Sequence, residues 1–305
     1  MSENRTRRHQ TNRSKTNPRS NLSRHLDHDN SGRPPRFISF LTDFGLTDAY
    51  VGVMKGVVAS INPDARVIDI CHDVAPQDVR AAAFLLASSY AYFPPGTIHV
   101  AVVDPTVGSS RAALCVQAGD YFFIGPDNGV VSTACYKAGR PRIHRLENEE
   151  YFLKNRSRTF HGRDIFAPAA AHLSAGVPIE SMGQRLRSMK RIRLPRPVIR
   201  HGSKRNEQWV RGEIIHVDRF GNLITNIEPE TLKKAFPRRK HNTLDIVCSG
   251  HTIRGVSKTY SDVLPGRALA LVGSYGLIEI SVRDRNAASS LGVERGEKVK
   301  IGLEP

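Results

Sequence analysis

Two short polar segments, residues 101–111 and 159–164, carry Asp104, Arg111 and His161, and a third, residues 216–226, carries His216, Asp218 and Asn222. Each contains a glycine turn and is bounded by apolar, strand-like runs. Asp104 follows Thr-Ile-His-Val-Ala-Val-Val and precedes Pro105 and Gly108, so it reads as a carboxylate at the end of a buried strand, where the chain breaks into a loop. In open α/β sheets that rim is where ligands bind. Asp104 and Arg111 lie seven residues apart across the loop, close enough to pair, and the guanidinium would supply fixed donors to the carboxylate. His161 sits in a Thr-Phe-His-Gly-Arg turn ahead of a helix start, within reach of a cleft. Singly, each has a plainer reading, a structural ion pair or a solvent-facing histidine. With Asp43 and Asp127 also at strand ends, they outline a polar pocket along one rim.

The elements that must position these residues alternate. Phe-Ile-Ser-Phe-Leu-Thr, residues 37–42, reads as a first strand, and a helix follows over 49–61, where Val51, Met54, Val57, Val58 and Ile61 recur at helical spacing and Asn62-Pro63 stops it. Residues 66–71 form the next strand, 77–92 an Ala-rich helix begun by Asp78, and 97–103 a third strand. Residues 114–118 and 121–129 continue as strands, and Asp164 opens a further helix as its N-cap. This alternation predicts a mostly parallel sheet with crossover helices. Past a Pro/Arg-rich stretch the pattern changes to short runs at 209–217, 223–227, 244–247, 268–271 and 277–282, which predict an all-β domain. The expected organisation is a tail over 1–36, an α/β domain over 37–195, a linker over 196–206 and a β domain over 207–305.

The 305 residues and 39% hydrophobic content allow two cores. Much of the formal charge of +16 is concentrated: residues 1–36 hold nine Lys or Arg against three acids with few apolar residues, which reads as a disordered, solvated tail. The tail lacks the apolar stripe of a transit peptide and the apolar stretch of a secretory signal. The basic cluster at 185–200 has no interleaved aromatics, so it reads as an exposed linker and nucleic acid is not supported as a partner. Cys71, Cys115, Cys135 and Cys248 are scattered without zinc-ligand spacing and read as core thiols of a reducing, cytoplasmic compartment. No run approaches the ~20 apolar residues of a membrane span. Dinucleotide, nucleotide-triphosphate, zinc-protease and serine-hydrolase signatures are all missing, so the site is expected to work without a metal or a nucleophilic side chain.

The succession Thr42-Asp-Phe-Gly, Asp48-x-Tyr-Val-Gly-x-Met-Lys-Gly56, Val103-Asp-Pro-x-Val-Gly108 with Arg111, Gly125-Pro-Asp-Asn-Gly129, Thr159-Phe-His-Gly-Arg-Asp-Ile-Phe166, Asp218-Arg-Phe-Gly-Asn222 and Gly273-Ser-Tyr-Gly-Leu-Ile-Glu279 resembles the S-adenosyl-L-methionine (SAM) hydroxide adenosyltransferases, the adenosine-forming SAM hydrolases related to fluorinase and chlorinase. The resemblance spans about residues 37 to 302. It departs at Thr106, where the family usually has Gly, and a turn demanding positive φ there would strain a threonine.

This resemblance implies an N-terminal α/β domain, a barrel-like C-terminal β domain, and a homotrimer with active sites between subunits. It implies that Asp104, Arg111 and His161 activate water, that Asp43 holds the ribose hydroxyls, that Asp218 and Asn222 take the methionine amine and Ser274 the carboxylate end, and that Phe220 and Tyr275 are pocket walls. SAM is then the substrate, and no cofactor is expected. Water would attack C5′ while neutral methionine leaves, so only the nucleophile needs help, with His161 as the expected proton acceptor and Asp104 orienting the water. Two rivals remain: a halogenase, in which a small desolvating halide pocket replaces the polar trio, and a non-catalytic SAM or adenosine sensor. Asp48, Lys55 and Glu279 read as structural or interface charges, and Arg163 as either interface or pocket.

Overall fold

The computed structural model describes residues 37–200, 208–239 and 241–303. The basic tail over 1–36, residues 201–206 of the expected linker and residue 207 lie outside the described residues. The first strand, β1 (Phe37–Thr42), is apolar on both faces and buried almost throughout. Burial of side chains such as Ile38, Phe40 and Leu41 stabilises by about 1.5–3 kcal/mol each, which holds β1 inside a sheet covered on both sides. Helix α1 (Tyr50–Ile61) buries Val51, Met54 and Val58 on one stripe and ends at Asn62. Then come β2 (Arg66–Cys71), α2 (Val79–Ser89), β3 (Ile98–Val102), β4 (Ala113–Ala118), β5 (Tyr121–Pro126), α3 (Ser132–Ala138), β6 (Arg142–Arg145), α4 (Ala167–Ser174) and β7 (Arg185–Leu186). Helix α2 starts at Asp78 as the sequence suggests, and the carboxylate caps it by accepting the Ala81 N–H at 2.9 Å.

The seven strands run in the order β2-β1-β3-β5-β4-β6-β7. The four from β2 to β5 are parallel, while β4, β6 and β7 complete the far side antiparallel. One core lies between this sheet and α1 with α4, and the other between the sheet and α2 with α3. The carboxyl ends of β1 and β3 are in register, Thr42 opposite Val102, so Asp43 and Asp104 emerge on the same rim.

The chain continues through β8 (Val198–Arg200), β9 (Trp209–Val217), β10 (Leu223–Thr225), α5 (Pro229–Ala235), β11 (Asp245–Cys248), β12 (His251–Arg254), β13 (Val256–Ser257), β14 (Ala268–Val272), β15 (Ile278–Val282), α6 (Ala287–Leu291) and β16 (Lys298–Gly302). These strands form one sheet in the order β12-β11-β16-β9-β10-β15-β14-β13, with β8 paired to β9. Its pairings are antiparallel except β13 with β14. Because β12 and β14 also approach each other from near its two ends, the sheet all but closes into a barrel around one apolar core.

Two local expectations are corrected. Asp164 does not cap α4: it lies inside a π-helical turn, Gly162–Phe166, and the residue at the start of α4 is Phe166, which offers no side-chain cap. The fully buried Asp164 carboxylate instead accepts the Ser157 N–H at 2.7 Å and the Arg163 guanidinium, tying down the loop that precedes His161. The basic stretch at 185–200 is not a loose connector either, since its two ends are strands of the two sheets, β7 on β6 and β8 on β9.

Candidate active site

Asp104 leaves β3 into a loop whose return is set by Gly108, at φ +80, where a Cβ would lie 2.8 Å from the Arg158 carbonyl oxygen. Thr106 does not adopt positive φ, so the turn accommodates it. Its backbone N–H and hydroxyl both point at Asp104 Oδ1, at 3.3 and 3.1 Å. The loop brings Arg111 back onto Asp104: Nε donates to Oδ2 at 2.8 Å, and Nη2 pairs with the same oxygen. Both side chains are about 95% buried, at 4% and 5% exposure. The other side of Arg111 faces His161, with Nη2 2.7 Å from Nδ1, while the Phe166 ring lies 5.5 Å from the guanidinium.

This arrangement fixes the imidazole. Arginine has donors only, so His161 Nδ1 must accept, and the neutral ring carries its proton on Nε2. Burial lowers the His161 pKa below the usual histidine value, and the adjacent Arg111 cation lowers it further. The expectation that His161 takes the proton of the water is therefore revised, and Asp104 and His161 share no direct hydrogen bond. Arg111 stands between them, and the single lone pair of the imidazole is already engaged.

The rim carries more than the sequence reading found. Asp43 accepts the backbone N–H of Gln77 at 2.8 Å, and Gln77 itself sits at φ 66, a strained conformation for a residue with a Cβ. Beneath this turn His72, buried at the end of β2, bridges Asp69 Oδ1 at 3.1 Å and Thr42 Oγ1 at 2.8 Å. Thr42 Oγ1 in turn accepts the Phe44 N–H at 3.3 Å, and Lys55 completes the outer end by holding Asp69 at 2.6 Å. The same rim logic that singled out Asp43 and Asp104 applies to His72, which also follows an apolar strand. Thr42→Val removes one link without changing shape and leaves His72 Nδ1 and the Phe44 N–H unpaired. Urea unfolding is expected to show a loss of about 1–3 kcal/mol for the valine and much less for Thr42→Ser.

Phe44, Tyr50 and Phe160 form a second feature missed from sequence. Their ring centroids lie 5.1–5.8 Å apart in tilted or edge contacts, which join the Asp43 loop to the His161 loop. Arg163 lies 5.1 Å from the Phe160 ring and pairs with Asp164, so it braces this loop. Asp127 holds the backbone N–H of Lys190 at 2.7 Å and is committed to that contact.

The C-terminal residues gather elsewhere on the chain. Asp218 accepts the N–H groups of Phe220 and Asn222 and the Asn222 side-chain amide, closing a turn in which Gly221, at φ +84, leaves no room for a Cβ against Asn286. Phe220 and Ser274 are exposed, and Tyr275 packs on Phe84 of α2 at 5.1 Å. Burial raises the Tyr275 pKa, and the Asp218 and Glu279 carboxylates raise it further. Glu279 is buried and accepts the hydroxyls of Tyr260 at 2.6 Å and Ser281 at 2.9 Å. Among the described residues, no hydrogen bond, ion pair or ring contact joins this set to Asp104, Arg111 or His161 within one chain.

Two family models match the chain: SAM hydroxide adenosyltransferase N-terminal domain over residues 38–183 and C-terminal domain over 212–300. A protein of Salinispora tropica named (R)-S-adenosyl-L-methionine hydrolase is 37% identical over 88% of this chain and 98% of its own length. A fluorinase of Nocardia brasiliensis is 28% identical over 85% of this chain and 93% of its own length. Among solved structures, a Thermotoga maritima protein described as uncharacterized superposes with a TM-score of 0.80 at 40% identity, covering 87% of this chain and 99% of that one.

Proposed function

The chain belongs to the SAM hydroxide adenosyltransferase family, and from that premise we infer that it hydrolyses SAM to adenosine and L-methionine. The observation that carries the mechanism is Arg111 bridging Asp104 and His161 at a half-buried rim. The new bond joins the water oxygen to C5′, the C5′–S bond breaks, and its electron pair stays on sulfur, so methionine departs neutral and needs no acid. We assign the trio as follows. His161 Nε2–H donates to one lone pair of the water oxygen and leaves the other to attack C5′, and Asp104 takes the proton through Oδ1, whose present partners on Thr106 are the longer ones. No base stronger than a carboxylate is needed, because attack leaves a protonated alcohol at C5′, which is a very strong acid.

Asp43 is assigned to the ribose hydroxyls, Asp218 and Asn222 to the methionine amine, Ser274 to its carboxylate, and Phe220 and Tyr275 to the walls. Because no hydrogen bond, ion pair or ring contact among the described residues joins the rim trio to the C-terminal set, we assign the complete site to a junction between copies, in a homotrimer. Exposed apolar residues support this on both sides: Leu46, Tyr50 and Val53 beside the rim, and Phe220, Leu264 and Val272 on the barrel. A cytoplasmic setting is proposed on the strength of four free cysteines, three of them buried. No described helix is long and apolar enough to cross a membrane. SAM enters as substrate, and the balanced reaction calls for no cofactor.

Incubation with SAM in ¹⁸O-water, with and without chloride or fluoride, tests the reading. Adenosine labelled at its 5′-hydroxyl and unaffected by halide is the expected product. A 5′-halo-5′-deoxyadenosine would make the protein a halogenase, and intact SAM would leave only a binding role.

A further inference from the structure

Residues 185–200 cross the molecule with their chemistry sorted by face. Arg185, Arg187, Lys190, Arg191, Arg193, Arg196 and Arg200 are all exposed, while Leu186, Met189, Ile192, Leu194 and Ile199 between them turn inward. Leu186 and Met189 join the core under α2, and Ile199 joins the core of the barrel. The backbone is pinned along its length: Lys190 N–H to Asp127 Oδ1 at 2.7 Å, Ile192 N–H to Ser132 Oγ at 3.1 Å, and the Pro195 carbonyl to the Asn226 amide at 2.8 Å. A solvated charge run would not be anchored every few residues. No acid lies within the segment, and none of its seven cations forms an ion pair among the described residues. The row continues onto the barrel, where Arg211 stands opposite Val198 on one side and Lys300 on the other. Arg191 stacks 3.6 Å above the ring of Tyr136, and Lys300 lies 5.6 Å from the ring of Trp209.

We propose that this ordered stripe binds the phosphate backbone of a nucleic acid. Unpaired cations held in a row repel one another, and a polyanion that displaces their counterions relieves that repulsion. Six of the seven are arginines, whose planar forks match phosphate oxygens and stack on bases. An anionic membrane is disfavoured because the apolar side of the segment faces the protein core, leaving little to insert into lipid. The sequence expectation of a bare linker changes for one reason: the alternation became visible as a face only once the segment was seen anchored.

The test is binding of fluorescein-labelled 20-nucleotide RNA and of a 20-base-pair DNA duplex to the full chain by anisotropy, from 50 to 300 mM KCl. A variant with R185Q, R187Q, R191Q, R193Q and R196Q is compared with one of equal net charge, K234Q, R238Q, R239Q, K258Q and R267Q. The stripe variant is expected to bind at least about tenfold more weakly at 100 mM KCl, with a salt slope shallower by about 0.7 per lost contact on RNA. The control should change less than about twofold. Lysines at the same five positions should keep most of the slope, which separates charge from folding. Equal losses in both neutralised variants, an unchanged slope in the stripe variant, no binding by the native chain, or tighter binding to phosphatidylserine vesicles than to either nucleic acid would each overturn the proposal. Adenosine formation from SAM, measured on every variant, is expected to stay at the native level and reports separately on the hydrolase reading.

Discussion

Arg111→Met is expected to lower kcat for adenosine formation by about 10²–10³-fold, the scale of losing one preorganised active-site donor, and to destabilise the fold as well. Arg111 is the one residue that touches both other members of the trio, so its loss frees His161 and strands Asp104 together. The Asp104 side chain is 5% exposed, and its remaining described partners are the two longer contacts from Thr106. Removing one partner of a buried ion pair leaves an uncompensated charge, at a cost of about 3–5 kcal/mol. Adding Asp104→Asn should therefore recover stability without recovering activity, which a double-mutant cycle on urea unfolding and on kcat measures directly. Arg111→Lys keeps the charge but lacks the fork that reaches Asp104 and His161 at once, so it should recover stability better than turnover. Native kcat in Arg111→Met would remove the trio from the mechanism.

His161→Ala should cost a similar 10²–10³-fold in kcat, and His161→Asn should recover part of it by offering an amide oxygen to Arg111. The pH profile carries a sharper prediction. Because Nδ1 accepts from a guanidinium, protonating the ring would set an N–H against N–H donors. Burial and the Arg111 cation accordingly lower the His161 pKa. Above the ordinary histidine value of 6.5 the ring is neutral whether the chain is folded or not. Between 6.5 and the lower folded value, the unfolded chain binds a proton that the folded chain refuses, so stability declines as the pH falls through that window. The acid limb of kcat should lie below 6.5. In Arg111→Met the His161 titration, followed by NMR, should move up toward the ordinary value. An acid limb above 6.5 in the native enzyme would contradict the wiring described above.

Much of this protein is legible in its sequence. The apolar run 37–42, the helical stripe of Val51, Met54 and Val58, the cap at Asp78 and the polar break after Val103 all follow from local pattern, and each is found in the structure. The short strands β12, β13 and β16 were not anticipated, because segments such as His251–Arg254 and Lys298–Gly302 alternate with charged residues and depend on their neighbours for burial. Asp164 misled for a related reason. An acid before an Ala-rich run is the usual cap, but here the π turn carries it inward to hold Ser157.

The order of residue types is enough to establish the inventory: a carboxylate at a strand end, a guanidinium seven residues on, an imidazole ahead of a helix, and cations alternating with apolar residues over 185–200. Which donor meets which acceptor depends on the packed fold. The Arg111–His161 contact spans 50 residues of chain and the Asp127–Lys190 contact 63. Periodicity and caps are local properties, set within a few residues by backbone geometry. Long-range hydrogen bonds are instead chosen by how the packed sheets and helices bring distant loops together, and that choice put Arg111, rather than Asp104, in contact with His161.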